Sequence, residues 1–161
     1  LAHIQSKCDY YDPSNITPLK HCRKYFSLLH CNIRSAPRNM DALSFMLSEM
    51  NHNASIIGLT ETWLNEQNSM HYSLPGYKAF FTCRREQRGG GVALYVNDLF
   101  TAQLRTEFNF NEECCESVFI ELTNASQFCI PNVTRPLIIG VCYRPPNTEV
   151  DRFIAIMQDI V

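Results

Sequence analysis

The sequence lacks most of the features that would assign it quickly. No apolar run approaches the ~20 residues that cross a bilayer, so no membrane partner is expected. None of the eight cysteines, at positions 8, 22, 31, 83, 114, 115, 129 and 142, forms a Cys-x-x-Cys pair, the usual spacing of a structural zinc site. The His21-Cys22 and His30-Cys31 pairs do not replace it, because adjacent residues on a strand face opposite ways. There is no basic excess. A formal charge of −2 and a pI near 6.2 exclude a global field for non-specific nucleic-acid binding, so any such contact must be local. Gly89-Gly90-Gly91 is not followed by Lys-Ser/Thr and leads into a strand-like run, which excludes a P-loop and leaves turn geometry. Internal repeats, low-complexity tracts and a signal-peptide pattern are all absent.

What is present reads as one globular domain. The 161 residues are 45% hydrophobic and 19% charged, enough for a core without the composition of disorder. Leu1 opens the chain, and Val161 falls within an apolar periodic run, so both ends read as cut and the chain as a fragment. Several cysteines lie inside strand-like runs, which favours reduced, buried thiols in an intracellular protein. Four Asn-x-Ser/Thr sequons, at Asn15, Asn53, Asn124 and Asn132, support the rival reading of a secreted, disulfide-bonded glycoprotein. Basic clusters at Lys20, Arg23 and Lys24, at Arg34 and Arg38, and at Arg84, Arg85 and Arg88, with an acidic patch at Glu112, Glu113 and Glu116, read first as solvated faces.

Along the chain, residues 1–24 are polar and turn-rich and read as a linker or N-terminal extension to a domain over 25–161. Tyr25 to Ile33 predicts a buried strand. A helix follows, with Pro37 near its start, Asn39 or Asp41 as cap, and Met40, Leu43, Met46, Leu47 and Met50 at helical spacing. Ser55 to Leu59 then runs apolar without alternation, the pattern of a strand buried on both faces. This strand, helix, strand order is a βαβ unit with a right-handed crossover. Tyr77–Cys83 and Val92–Val96 predict a hairpin, Val118, Ile120 and Leu122 an alternating strand, and Leu137–Tyr143 another fully buried strand. Val150, Phe153, Ile154, Met157, Ile160 and Val161 repeat as an amphipathic helix. The fold class is therefore α/β or α+β with a mixed sheet.

Three buried strands end in groups suited to phosphate chemistry. Glu61 stands at the carboxyl end of its strand, where α/β proteins collect ligands, and a carboxylate there can hold Mg²⁺. Asn32 can orient a water or a carboxylate, and the Tyr143 hydroxyl beside Arg144 can position a phosphate. Each has a plainer reading: a solvated or capping acid, a turn residue, an amphipathic strand residue and a surface charge.

Taken together, His30-Cys31-Asn32-Ile33-Arg34-Ser35, Gly58-Leu59-Thr60-Glu61-Thr62-Trp63-Leu64, Arg88-Gly89-Gly90-Gly91-Val92-Ala93-Leu94-Tyr95-Val96 and Cys142-Tyr143-Arg144-Pro145-Pro146 resemble, in order and spacing, the endonuclease/exonuclease/phosphatase superfamily. More narrowly they resemble the apurinic-type endonuclease domain of non-LTR, LINE-like retrotransposons, from about residue 25 onward. Arg34 and Thr-Glu-Thr-Trp favour that branch over abasic-site repair enzymes. The resemblance implies a four-layer α/β/β/α sandwich, cut short on its C-terminal side. It implies Glu61 as a ligand of Mg²⁺, with Mn²⁺ as a substitute, Asn32 in the same metal and phosphate constellation, and Tyr143 on the scissile phosphate. Arg144, Arg34 and Arg88 are the secondary substrate contacts. The implied partners are DNA, hydrolysed at a phosphodiester to prime reverse transcription, and a reverse-transcriptase domain in the same polypeptide, in the nucleus. The family's later Gly-Asp-x-Asn and Ser-Asp-His motifs do not occur, so the chain is expected to be inactive alone. His30, in an apolar run, reads as a packed strand residue rather than a base. A non-catalytic binding module on the same fold is the alternative.

Overall fold

The computed structural model describes residues 26–50, 53–84, 89–123 and 136–160. The 1–24 extension, Lys20, Arg23, Lys24, Arg85, Arg88, three of the four sequons (Asn15, Asn124, Asn132) and three cysteines (Cys8, Cys22, Cys129) lie outside the described residues.

Among the described residues, eight strands and two α-helices follow in the order β1 (Leu28–Asn32), α1 (Ala36–Glu49), β2 (Ile56–Thr60), β3 (Tyr77–Thr82), β4 (Val92–Asn97), β5 (Ala102–Leu104), β6 (Asn111–Glu112), β7 (Cys115–Leu122), β8 (Leu137–Tyr143) and α2 (Val150–Ile160). The first sheet has the order β1-β2-β4-β3. β1 and β2 are parallel, joined by α1 as the βαβ pattern predicts, while β4 runs antiparallel to both β2 and β3. In the second sheet β7 is central. β8 pairs along one of its edges, and β5 and β6 share the other, opposite Ile120 and Glu116 respectively.

The unbroken apolar run of β2 has a direct cause, since both of its faces are covered. Ile57 and Leu59, with Ala93 and Tyr95 of β4, pack against Ala36, Met40 and Leu43 of α1. Ile56, with Val92, Leu94 and Val96, packs instead against Val118, Ile120 and Leu122 of β7 and Val141 of β8. At roughly 1.5–3 kcal/mol for each fully buried Val, Leu or Ile side chain, these two layers dominate the favourable side of folding. Gly58 belongs to the second layer. A Cβ there would reach ordinary contact, 3.6 Å from Val141 Cβ, so the sheets approach closely at this point.

Several expectations need correction. β1 is not buried. Among the described residues it is the outer strand of its sheet, Leu28 is 63% exposed and His30 is exposed, so His30 is not a packed core residue. β8 is likewise an edge strand among the described residues, with Ile138 43% exposed, rather than buried on both faces. β7, read as alternating, is buried along most of its length: its Val118, Ile120 and Leu122 face packs on the first sheet, and Phe108 lies against Ser117 and Phe119 on the other face. α1 begins at Ala36 with Pro37 in its first turn and no side-chain cap, so neither Asn39 nor Asp41 caps it. Asn39 instead donates from Nδ2 to the carbonyl oxygens of Ile33 (2.8 Å) and Arg34 (3.1 Å), tying the helix to the end of β1. α2 carries the predicted periodicity but no buried residue, and is joined to β6 by an exposed Arg152–Glu112 ion pair at 2.8 Å. The five described cysteines are free thiols. No helix among the described residues is long and apolar enough to cross a membrane.

Candidate metal and phosphate site

The site forms where the parallel pair β1 and β2 ends. Beyond Asn32 and Thr60 the two chains stay hydrogen-bonded, through Ile33 N to Thr60 O (3.0 Å), Ser35 N to Glu61 O (2.8 Å) and Ala36 N to Thr62 O (2.8 Å). This junction cannot remain regular strand. Arg34, Ser35, Glu61 and Trp63 all adopt positive φ (45°, 93°, 54° and 55°), a conformation that L-residues disfavour and that neighbouring structure must impose. A second clamp comes from the glycine turn before β4. Gly91 O accepts Thr62 N–H (3.1 Å) and Gly90 O accepts Trp63 N–H (2.8 Å). Gly91 sits at φ +80°, and a Cβ there would lie 2.6 Å from Thr62 Oγ1, so this approach requires glycine.

Held this way, the Glu61 carboxylate becomes a meeting point. Asn32 Nδ2 donates to Glu61 Oε1 at 2.8 Å, and the Tyr143 hydroxyl donates to the same oxygen at 3.2 Å. Asn32 Oδ1 in turn accepts Arg34 N–H at 3.2 Å, which fixes the amide orientation. Tyr143 comes from the last residue of β8, so the two sheets each contribute to one carboxylate. Glu61 Oε2 takes no hydrogen bond from any described residue. The Tyr143 hydroxyl is held above its ordinary pKa, first by burial and then by the negative charge and hydrogen bond of Glu61, so it remains a protonated donor through the neutral range.

The secondary residues behave differently. The Arg34 side chain is exposed, and its contribution to the junction is its backbone. Arg144 is exposed and donates from Nη1 to Thr148 O at 3.1 Å, and Arg88 lies outside the described residues.

At two residues of this site the structure departs from the sequence expectation. Glu116, assigned to a solvated acidic patch, is 1% exposed. Its partner is Arg84, placed by the sequence in a solvated basic cluster but joined through Nε to Glu116 Oε1. The correction has a simple cause, since β7 turns residue 116 to the same face as Val118, Ile120 and Leu122, toward the first sheet. That parity was the available signal. Thr62, 1% exposed, also escaped notice, and its Oγ1 has no hydrogen-bond partner among the described residues.

No protein-family model matches the sequence, and no curated protein matches it. Solved structures do. The endonuclease domain of TRAS1, a telomere-specific non-LTR retrotransposon, matches with a TM-score of 0.59 at 11% identity, over 84% of this chain and 52% of that one. The AP endonuclease LMAP from Leishmania major matches with a TM-score of 0.58 at 15% identity, over 93% of this chain and 47% of that one. The Xenopus laevis APE2 catalytic domain matches with a TM-score of 0.52 at 17% identity, over 83% and 52%. At these identities the likeness is one of fold: the chain has the α/β fold of a retrotransposon endonuclease domain and of AP endonucleases. It spans about half the length of each of the three.

Proposed function

We propose that the chain is part of a Mg²⁺-dependent DNA endonuclease domain of the retrotransposon type, with Glu61 at its metal site. The observation that carries this reading is the convergence of Asn32 and Tyr143, from opposite sheets, on one oxygen of the Glu61 carboxylate. Mg²⁺ commonly takes one or two protein carboxylates and completes its shell with water and substrate phosphate. The residues present fit that demand. Glu61 Oε2 is uncommitted among the described residues, and Asn32 Oδ1 keeps a second lone pair beside its bond to Arg34 N–H. Among the described residues no cluster of three or more His, Cys, Asp or Glu surrounds the position, so water and substrate oxygens would supply the remaining ligands.

When bound, the metal supplies Lewis-acid stabilisation of charge on the phosphoryl oxygens. The chain's own groups do the positioning. Asn32 holds Glu61 in one orientation, and the protonated Tyr143 hydroxyl can exchange its bond to Glu61 for one to a phosphate oxygen. Arg144 and Arg34, both exposed, supply contacts to the DNA backbone, with Arg88 as a third. A base for the attacking water is not among these groups. Because the 161 residues hold neither Gly-Asp-x-Asn nor Ser-Asp-His, nicking is assigned to a longer polypeptide. In that nuclear polypeptide a reverse-transcriptase domain would extend the freed 3′-hydroxyl.

The protein carries its own reporter, since Trp63 is the sole tryptophan and lies two residues from Glu61. Titration with paramagnetic Mn²⁺ should quench Trp63 fluorescence saturably, and Glu61→Ala should abolish the saturable phase. Equal quenching in both proteins would refute the metal site. Supercoiled plasmid incubated with the chain and Mg²⁺ should stay intact, and nicking that Glu61→Ala removes would refute the assignment of catalysis to a longer chain. The missing motifs favour one second reading, a non-catalytic DNA-binding module, which predicts duplex binding indifferent to both Mg²⁺ and Glu61→Ala.

A further inference from the structure

We propose that Glu116 is the positioning residue of this site, setting the conformation of the Glu61 strand end from the opposite sheet. The role rests on the metal reading of Glu61 given above. Glu116 opens the inward-facing row of β7, where a carboxylate takes the place that an apolar side chain holds at Val118, Ile120 and Leu122. A buried carboxylate survives only if its oxygens are well bonded. Here both are used: Oε2 accepts Gly91 N–H at 2.5 Å, and Oε1 accepts Arg84 Nε–H.

Those bonds hold the glycine turn against the second sheet. Gly90, at φ +66°, lies so close above the pair that a Cβ would sit 2.6 Å from Glu116 Oε1 and 2.7 Å from Arg84 Cζ. The same two glycines present the carbonyls that accept Thr62 and Trp63 N–H, the first two amides after Glu61. A chain of hydrogen bonds therefore runs from Glu116 through Gly90 and Gly91 to the two peptide units that follow Glu61, which itself sits at positive φ. Glu116 is also the register partner of Tyr143 across β7 and β8. Directly opposed residues present their side chains on one face, so Glu116 stands beside both the turn and the phenol. Glu116 touches neither metal nor phosphate; it acts through the turn, on where Glu61 and Tyr143 meet.

The test separates positioning from plain stability. In the folded 161-residue chain, the double substitution Arg84→Met with Glu116→Leu removes the buried pair together, leaves no lone buried charge, and deprives Gly91 N–H of its acceptor. Urea unfolding should stay cooperative, while the Mn²⁺ affinity read from Trp63 quenching should fall at least tenfold. Wild-type affinity in that folded variant overturns the proposal. A second measurement needs no substitution. In the wild-type chain, Mg²⁺ titrated into an isotope-labelled sample should shift the Gly91 amide and the Glu116 side-chain carboxyl resonance with the same midpoint as the Glu61 carboxyl. Movement of Glu61 with Gly91 and Glu116 unmoved overturns the positioning role and leaves the metal site standing. No movement at Glu61 removes the metal site and this role with it, so the two failures are told apart.

Discussion

Alanine at Gly90 should cost markedly more than alanine at Gly76, although the two glycines share nearly the same backbone conformation. Gly76 has φ +79° and nothing within 4 Å of where a Cβ would lie, so Gly76→Ala isolates the price of a left-handed backbone, about 1–2 kcal/mol. Gly90, at φ +66°, carries that same term. Its Cβ would in addition press on the Glu116 carboxylate and the Arg84 guanidinium, at 2.6 and 2.7 Å. Neither group can yield easily, because Glu116 is 1% exposed and bonded through both oxygens. Overpacking of a tight interior adds about 1–3 kcal/mol. The two losses should therefore differ by at least about 1 kcal/mol, or roughly 2–4 °C in Tm for a chain of this length. Urea unfolding followed in parallel by far-ultraviolet circular dichroism and Trp63 fluorescence measures both. Losses equal within about 0.5 kcal/mol would refute the claim that the buried pair is packed rigidly beneath the turn, since distant surface-like substitutions scatter by that much.

Other outcomes follow from single contacts. Thr62→Val should stabilise by about 1 kcal/mol in the same urea assay, because it replaces a buried hydroxyl with no partner among the described residues by a methyl of similar shape; a loss of stability would show that the hydroxyl is bonded. Gly140→Ala should cost about 1–3 kcal/mol, since its Cβ would fall 2.2 Å from the Phe119 ring that covers it and forces that ring to move; a neutral result would mean that Phe119 is not seated there. Stability should also decline in alkali. Burial pushes the Cys115 thiol up to about 12 and the Cys142 thiol up to about 11 from an ordinary 9.0, and raises the Tyr95 phenol above its ordinary 10.0. The unfolded chain therefore releases protons from about pH 9 upward while the folded chain keeps them, so stability falls as pH rises through 9 and goes on falling into strong alkali. Urea midpoints at pH 7, 9 and 10.5 would read this, and an unchanged midpoint at 10.5 would contradict the burial of those groups.

The layers of the fold were legible where a run of residues has one environment along its whole length. Ile56 to Leu59 reads as doubly buried because it is central in its sheet, with α1 on one face and β7 on the other. Misreadings came where the same composition meets two environments. Leu28-Leu29-His30-Cys31 and Leu137-Ile138-Ile139 are as apolar as β2, yet among the described residues both strands lie at sheet edges, and side-chain types do not reveal how many neighbours a strand has. β5 and β6, of three and two residues, left no periodic signal at all.

The site was legible by a different route and to a different depth. Asn32, Glu61 and Tyr143 were singled out because each ends a strand, and chain topology then brings strand ends together; their meeting at 2.8 and 3.2 Å needed no knowledge of loops. Glu116 reads as a surface acid by charge and as a core-face residue by parity, and the structure follows parity. Its period-2 relation to Val118, Ile120 and Leu122 places it on the core face, and a carboxylate on a core face implies a dedicated partner. That partner, Arg84, lies 32 positions away across the hairpin, and the backbone donor at Gly91 has no side chain to announce it. The residues that contact a ligand can be read from where strands end, whereas the residues that hold them in place are read from a polar side chain on the apolar row. Glu116, on the inward row of β7 beside Tyr143 and beneath the turn that clamps Glu61, satisfies the second criterion as clearly as Glu61 satisfies the first.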